Sequence, residues 1–215
     1  MADTTAQVIG SVRRPAGAYQ QGQFQANELN EQFVVQGLPI GTEMTRKGRA
    51  WGTMTVTAAA GIVVRPSTLA ALELWNGSPT TNAGLSLIID RLFFFNLVST
   101  AVVEGFSGWA QVATTKAAPS SAGLAIRGNS GKQGYTGLAV NAIGTTVLDN
   151  GWFPWGNAYN KAAGGVVPFG AISAEVNGRL IVPPGCSLCL HVVSSLVGET
   201  FTMGAMWYEE LLSIE

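Results

Sequence analysis

The chain has 215 residues, of which 47% are hydrophobic and 12% are charged, and this charged fraction is about half of what a soluble domain usually carries. With 12 basic and 13 acidic residues, the net charge is −1, which excludes a general electrostatic attraction to nucleic acid or to an anionic membrane. The 27 glycines and nine prolines predict many turns between short elements, because glycine permits positive φ and proline fixes φ without donating a hydrogen bond. The composition therefore disfavours a protein built from long helices.

The first 32 residues are polar and rich in glutamine and asparagine, and they show no sustained hydrophobic periodicity. Such a segment does not contain enough apolar surface to form a core by itself. We therefore predict an extended N-terminal arm at 1–32, followed by a single β-sandwich domain at 33–215. The N-terminus lacks a basic start followed by an apolar core, so we expect no secretory signal and synthesis in the cytoplasm.

Beyond the arm, short apolar runs alternate with turn residues, and period-two alternation is clear at 53–58 and 187–192. About eight to ten such runs indicate an antiparallel sandwich or barrel. Asn177-Gly178 is the strongest hairpin signal, because this dipeptide suits the type I′ turn. The segments 66–75 and 205–215 are ambiguous, since each is also compatible with a short helical stretch.

The most apolar run, LSLIIDRLFFFNLV at 85–98, contains Asp90 and Arg91. It is shorter than the roughly 20 residues that a membrane helix needs, so it is interpreted as a buried strand, and no membrane partner is expected. A charged side chain on such a strand must reach solvent or an oppositely charged partner. An ion pair between subunits and an exit at the strand edge are both compatible with the sequence.

Cys186 and Cys189 form a Cys-x-x-Cys pair close to His191, the only histidine. A redox motif needs the pair at a helix N-terminus, a zinc site needs a fourth ligand, and haem attachment needs histidine directly after the second cysteine. None of these contexts is present. The β-branched segment that begins near Cys186 predicts a strand, on which residues three apart point to opposite sides. We therefore predict two small, buried or half-buried cysteines.

No motif in the chain forms a recognisable catalytic site. The run GNSGKQG at 128–134 resembles a phosphate loop, but Ile126 and Gln133 occupy positions where a Walker A motif needs glycine and serine or threonine. No G-x-S-x-G elbow presents a nucleophile to His191, and the spacing of the acids singles out no carboxylate pair. We therefore expect a protein that is not an enzyme and has no cofactor and no metal. A cupin-like metal enzyme would need several histidines.

One basic cluster, Arg46, Lys47 and Arg49, precedes Trp51. A mixture of basic and aromatic residues can bind single-stranded nucleic acid, but three cations in a neutral protein favour a subunit contact instead. We do not expect a nucleic-acid partner.

The run GWFPWGNAY at 151–159 places large aromatic residues among glycine and proline, a composition typical of a loop. Three interpretations are open: an anchor cluster at an interface, a lid over one end of the sandwich, and a platform on which sugars stack. The interface interpretation is favoured, because no cluster of acidic, amide or guanidinium groups adjoins the aromatic residues.

The C-terminal third, GRLIVPPGCSLCLHVVSSLVGETFTMGAMWYEELL at 178–212, together with LWNGSP, SLIIDRLFFF and DNGWFPWG, resembles virion structural proteins of tailed bacteriophages and, more distantly, tumour-necrosis-factor-like trimers. The resemblance covers about half of the chain and implies a trimeric jelly-roll, here an antiparallel jelly-roll-like β-sandwich with an extended N-terminal arm. It also implies a cement or decoration protein that binds the exterior of the capsid, with the major capsid protein as partner and the virion as location.

This resemblance brings no family-defined site residues, so the contact residues follow from the arm and the aromatic side chains. We expect the arm at 1–32 to contact the capsid and the aromatic clusters to pack between subunits of a homotrimer. An alternative function is the receptor- or glycan-binding head of a tail fibre or spike, with its site in the glycine-rich loops of 105–165. The predicted subunit or capsid contacts are Arg13, Arg14, Tyr19, Phe24, Trp152, Phe153, Trp155, Trp207 and Tyr208.

Overall fold

The computed structural model describes residues 40–55, 59–77, 84–98, 103–114, 127–128, 139–161 and 170–212, together with two short strands near the N-terminus. The chain divides into two units, Met1–Pro39 and Ile40–Glu215. In the first unit, β1 (Ser11–Arg13) pairs antiparallel with β2 (Tyr19–Gln21). Apart from this pair, the arm predicted at 1–32 lies outside the described residues.

The second unit is built almost entirely from strands, as the spacing of the apolar runs predicts. Its described part contains one helix, α1, which begins directly after Pro39, and the sequence interpretation did not include it. In the same part of the chain, no helix is long and apolar enough to cross a membrane. The elements in chain order are α1 (Ile40–Arg46), β3 (Ala50–Met54), β4 (Ala59–Ala60), β5 (Leu69–Asn76), β6 (Leu85–Val98), β7 (Val103–Thr114), β8 (Arg127–Gly128), β9 (Ala139–Thr146), β10 (Phe153–Lys161), β11 (Ala171–Val182), β12 (Cys186–Ser194) and β13 (Thr200–Leu211).

These strands form two antiparallel sheets. The five-stranded sheet has the order β10-β7-β12-β5-β9, and the six-stranded sheet has the order β11-β6-β13-β3-β8, with β4 paired to β13. The pairings are nested, since β3 pairs with β13, β5 with β12, β6 with β11, and β7 with β10. Nested pairing across two sheets is the topology of a jelly roll, so the predicted all-β, jelly-roll-like sandwich is confirmed.

The core lies between the sheets and consists of aliphatic and aromatic side chains from both. Leu188 and Leu190 enter it from β12, and Phe94 enters it from β6, each with no exposed surface. Full burial of a side chain of this size contributes roughly 1.5 to 3 kcal/mol. Gly108 faces the Phe94 ring so closely that a Cβ atom would overlap it. The two sheets therefore approach each other closely at Gly108, where β7 has no side chain.

The hairpin predicted at Asn177-Gly178 is wrong. Both residues adopt positive φ, 50° and 76°, as this dipeptide does in a type I′ turn. However, β11 pairs with β6 on both sides of the turn, and residues 176–179 lie between the pairs Glu175–Arg91 and Leu180–Ile89. The dipeptide forms a bulge within one long strand, because the pairing with β6 keeps the strand direction.

In the two segments with ambiguous patterns, the structure has strands at Leu69–Asn76 (β5) and Thr200–Leu211 (β13). At the end of β3, Thr53 and the following Thr55 are buried, whereas Met54 between them is exposed. Asn141 of the opposite sheet donates to Thr53 Oγ1 at 2.8 Å, and the amide of Met203 donates to Thr55 Oγ1 at 3.0 Å. These hydrogen bonds offset the cost of burying the two hydroxyls.

Candidate functional site

The outer face of the six-stranded sheet carries large apolar side chains. Because side chains alternate along a strand, Phe93 and Phe95 of β6 point outward, on either side of the buried Phe94. Their rings are nearly parallel, with centroids 6.3 Å apart, and both are half-buried. Met54 and Met206, on neighbouring strands, are 39% and 37% exposed. We call this surface the bare face and define it by Met54, Phe93, Phe95 and Met206.

The bare face is continuous because the register aligns its side chains. Met54 lies opposite Gly204, and Gly204 lies opposite Phe93. A Cβ atom at Gly204 would overlap the carbonyl of Thr53, so β3 and β13 approach closely at this row. On the other side of β6, Ala171 and Ser173 of β11 pair with Phe95 and Phe93. Small neighbours leave the two phenylalanine rings accessible from solvent.

Charged groups border the bare face. Arg91 binds Glu175 of the same chain at 3.1 Å, with both side chains largely exposed. Asp90 lies at the register shift of β6 against both of its neighbours and is half-buried. The sequence left open whether these charges reach solvent or a partner subunit. The structure gives Arg91 a partner within its own chain.

The basic cluster near Trp51 also has acidic partners. Arg46 and Lys47 bind Glu43 at 2.7 and 3.3 Å, and Arg49 lies 3.8 Å from Glu210. The hydrogen bond from Arg46 is the main reason that the pKa of Glu43 falls to about 2. Each of the three cations therefore already faces a carboxylate.

Part of the outer face of the five-stranded sheet is covered by the chain itself. Residues 147–152, here called the cover segment, connect β9 to β10 and pack on this face. Trp152 is 3% exposed, contacts the buried Cys189, and donates from Nε1 to the Ser67 carbonyl at 2.7 Å. Asp149 binds Arg65 at 2.9 Å. The lid interpretation of the aromatic run therefore applies to Trp152, which closes a face of the sheet.

Polar side chains are buried on the same face of this sheet. Ser187 donates to Glu73 Oε1 at 2.6 Å. Gln111 donates to the Leu148 carbonyl and accepts from the Asn150 amide, both at 2.8 Å. Every one of these bonds joins residues far apart in sequence, so the cover segment and the sheet stabilise each other through polar contacts as well as through Trp152.

The two cysteines are free, one half-buried and one buried, which confirms the prediction for them. Burial, assisted by the charge of Glu73, raises the pKa of the Cys189 thiol far above its usual range. Burial also raises the pKa of the Cys186 thiol. Since the thiolate is the reactive form, neither environment activates a nucleophile.

His191 lies on β12, and its side chain is 2% exposed. Its Nδ1 lies 2.9 Å from the Val192 amide nitrogen and 3.2 Å from the Val192 carbonyl oxygen, so the Val192 backbone is its hydrogen-bond partner. Burial lowers the pKa of this imidazole. Within the described ranges, no group of three histidine, cysteine or acidic side chains is placed to hold a metal ion.

The aromatic residues expected at subunit contacts have different environments. Trp152 and Trp207 are buried within the chain, whereas Phe153 is 70% exposed. Trp155 is half-buried, with the Arg179 guanidinium 5.3 Å from its ring centroid. Tyr208 is half-buried, and burial raises the pKa of its hydroxyl. Of this set, Phe153 offers the largest fraction of its side chain to a partner.

The contacts predicted in the arm are not located by the structure. Arg13 and Tyr19 lie in β1 and β2, where only the backbone is described, and Arg14 and Phe24 lie outside the described residues. The bare face was not among the predicted sites. The alternation of outward and inward phenylalanines in LFFFN was the sequence signal for it.

No known family model matches the sequence, and a search among curated proteins gives no match.

Proposed function

We propose that this chain is a non-enzymatic structural protein of a virus particle, which forms a homotrimer through the bare face and binds the capsid exterior as a cement or decoration protein. The main observation in support of this proposal is the bare face. It presents two aromatic rings and two methionines together, and a contiguous apolar surface of this kind is typical of an interface. The jelly-roll fold and the sequence resemblance support the virion assignment.

A second copy of the chain fits the bare face better than a small ligand does. The face follows a pleated sheet that spans β3, β13 and β6, so it suits another broad surface. In a cyclic trimer the three copies can direct the same face towards the threefold axis, where different edges of that face contact the two neighbours. Apolar area removed from water stabilises such a contact by roughly 25 cal/mol per Å². The Arg91–Glu175 pair at its border is placed to form the polar rim that interfaces commonly have.

The chemical state of the buried polar groups supports a role without catalysis. Ser187, Gln111 and His191 accept or donate hydrogen bonds inside the chain. The Cys189 thiol is held in its unreactive neutral form. These side chains act as parts of a packed sheet face, and the proposed mechanism is mechanical: an assembled trimer that ties neighbouring capsid subunits together, with the arm at 1–32 as the capsid contact.

Analytical ultracentrifugation of the purified chain tests the trimer. We expect a trimer for the wild type and a monomer for Phe95→Glu, because a buried carboxylate without a partner opposes the contact. Val197→Glu is the matched control, since Val197 is 78% exposed in the turn between β12 and β13 and is not part of the bare face. A monomeric wild type, or a Phe95→Glu variant that remains trimeric, would contradict the proposed contact.

Binding to capsids tests the second half of the proposal. Particles that lack this protein are mixed with the wild type or with a variant lacking residues 1–32, and occupancy is measured after sedimentation. We expect saturable binding of the wild type and strongly reduced occupancy of the truncated trimer. Full occupancy without the arm would refute its role, and labelling of the tail instead of the shell would favour a tail fibre head.

A further inference from the structure

A cleft of about 360 Å³ lies on the outer face of the five-stranded sheet, at the end opposite the cover segment. Its volume is within the range of known small-molecule sites, which begins at roughly 300 Å³. Three adjacent strands, β10, β7 and β12, form its floor. The lining residues are Val63, Gly105, Phe106, Ser107, Asn157, Ala158, Tyr159, Val193, Ser194 and Ser195.

The strand register defines the floor of the cleft. Asn157, Ser107 and Val193 lie opposite one another across the three strands and therefore share a face. Tyr159 lies opposite Gly105 in the next row. Both rows are held by the backbone ladder between the edge strand β10 and its neighbour β7, so the sheet positions Asn157, Ser107 and Tyr159.

The Ser195 end of the cleft is tied to the sheet. The Ser195 amide donates to the Gly105 carbonyl at 2.9 Å, and the Gly105 amide donates to Ser195 Oγ at 3.2 Å. The two residues therefore exchange hydrogen bonds beyond the last residue of β12. These two hydrogen bonds fix the position of the exposed Ser195 hydroxyl.

The Tyr159 ring is held in place yet accessible. A Cβ atom on Gly105 would lie 3.2 Å from Tyr159 Cε1 and 3.4 Å from Cδ1, so the ring extends over the glycine backbone. Even so, the side chain is 76% exposed. The absence of a side chain at Gly105 lets the ring lean over the sheet, and most of the ring surface remains open to a ligand. Val63, 51% exposed, lines another side of the cleft.

The polar groups of the cleft are neutral and can both donate and accept. Ser107 Oγ accepts a hydrogen bond from Trp109 Nε1 at 2.8 Å, and a hydroxyl that accepts one bond still has its own hydrogen to donate. The same holds for Ser195 Oγ. The exposed amide of Asn157 adds donors and an acceptor. None of the lining residues carries a formal charge.

We infer that this cleft binds a neutral sugar residue, with the Tyr159 ring as the stacking platform and Ser107, Asn157 and Ser195 as the hydrogen-bonding groups. A sugar presents C–H groups on one face and hydroxyls at its edge, which matches an exposed ring beside neutral donors and acceptors. A sialylated or sulfated sugar would need a cation, and the lining has none. The inference goes beyond the proposed function and stands or falls separately, because the cleft and the bare face belong to different sheets.

A glycan array carrying neutral, sialylated and sulfated oligosaccharides tests the inference with the full chain. We expect reproducible binding to a subset of neutral glycans. The neutral glycan with the highest signal then serves as the probe for affinity measurements on variants. Tyr159→Ala is expected to weaken binding at least about tenfold, while Tyr159→Phe keeps the ring and remains within about threefold of the wild type.

Phe153→Ala is the matched control, because Phe153 is an aromatic residue of the same strand with nearly the same exposure, 70%, but does not line the cleft. It should bind as the wild type does. The inference is overturned by an array without binding, by binding to charged glycans alone, or by a Tyr159→Ala variant with unchanged affinity. Circular dichroism of each variant separates loss of binding from loss of folding.

Discussion

The two sheets of this protein differ in how their outer faces are completed. On the five-stranded sheet, the chain folds its own residues 147–152 over the strands and buries Trp152. On the six-stranded sheet, no described segment covers Phe93 and Phe95, which remain half-buried. The same fold thus has one outer face that is partly covered by its own chain and one that presents apolar side chains to solvent.

The two outer faces are completed differently because they carry different side chains. The covered face contains polar groups such as Gln111 and Ser187, and a buried polar group needs a partner that is always present. The cover segment supplies such partners through the Leu148 carbonyl and the Asn150 amide. The bare face is apolar at its centre, so a partner can bind it without satisfying buried hydrogen bonds. That property suits a surface that is exposed before assembly and buried afterwards.

Removing the anchor of the cover segment should have the largest effect on stability. Trp152→Ala deletes a buried side chain and its hydrogen bond to Ser67, so we expect a loss of about 3 to 5 kcal/mol in the free energy of unfolding. Phe95→Ala, the corresponding truncation on the bare face, should cost the monomer less than about 1.5 kcal/mol. Urea unfolding monitored by circular dichroism, at a protein concentration low enough for the wild type to be monomeric, measures both. If the two variants lose the same unfolding free energy, the covered face and the bare face do not differ in their contribution to stability.

A smaller effect is expected from the polar cluster on the covered face. Ser187→Ala removes the hydroxyl that donates to Glu73 at 2.6 Å, and loss of a donor to a buried carboxylate costs about 1 to 3 kcal/mol. Ser173→Ala on β11, where the hydroxyl is exposed, is the control and should change stability by less than about 0.5 kcal/mol. If the two variants unfold at the same urea concentration, the Ser187–Glu73 bond does not stabilise the covered face.

The smallest expected effect is the pH dependence of stability that His191 causes. Since burial lowers the pKa of His191 in the folded state, the unfolded chain binds a proton near pH 6.5 while the folded chain does not. The contribution of the neutral His191 to the free energy of unfolding is therefore fully present above about pH 6.5. It decreases as the pH falls below this value, by at most about 1.4 kcal/mol per pH unit.

Replacement of the only histidine tests this dependence directly. His191→Asn should flatten the change in unfolding free energy between about pH 6.5 and pH 5.5, a range above the usual titration of carboxylates. The variant is compared with the wild type by urea unfolding at each pH. An unchanged slope in the variant would show that another group is responsible.

The local pattern of residues along the chain was enough to predict the strand content and several turns. The strand from Cys186 and the turn at Gly185, where φ is 83°, depend on residue type and on neighbours in sequence. The burial of Cys189 did not follow from alternation, because Cys189 lies on the outer face of β12, and the cover segment buries it there. Asn177-Gly178 shows the limit of this reasoning, because its local conformation was as predicted but its role in the sheet was not. Pairing with β6 decides that role, and β6 lies far away in sequence.

By itself, the sequence determined an all-β chain with low charge, because composition, alternation and turn residues act locally. Only the tertiary structure decided which faces are covered. Trp152 and Phe153 are adjacent, yet one is buried and the other is 70% exposed, and Tyr159 lines a cleft only because Gly105 lies opposite it. Such outcomes depend on strand pairing between distant segments, for which a single sequence carries no local signal.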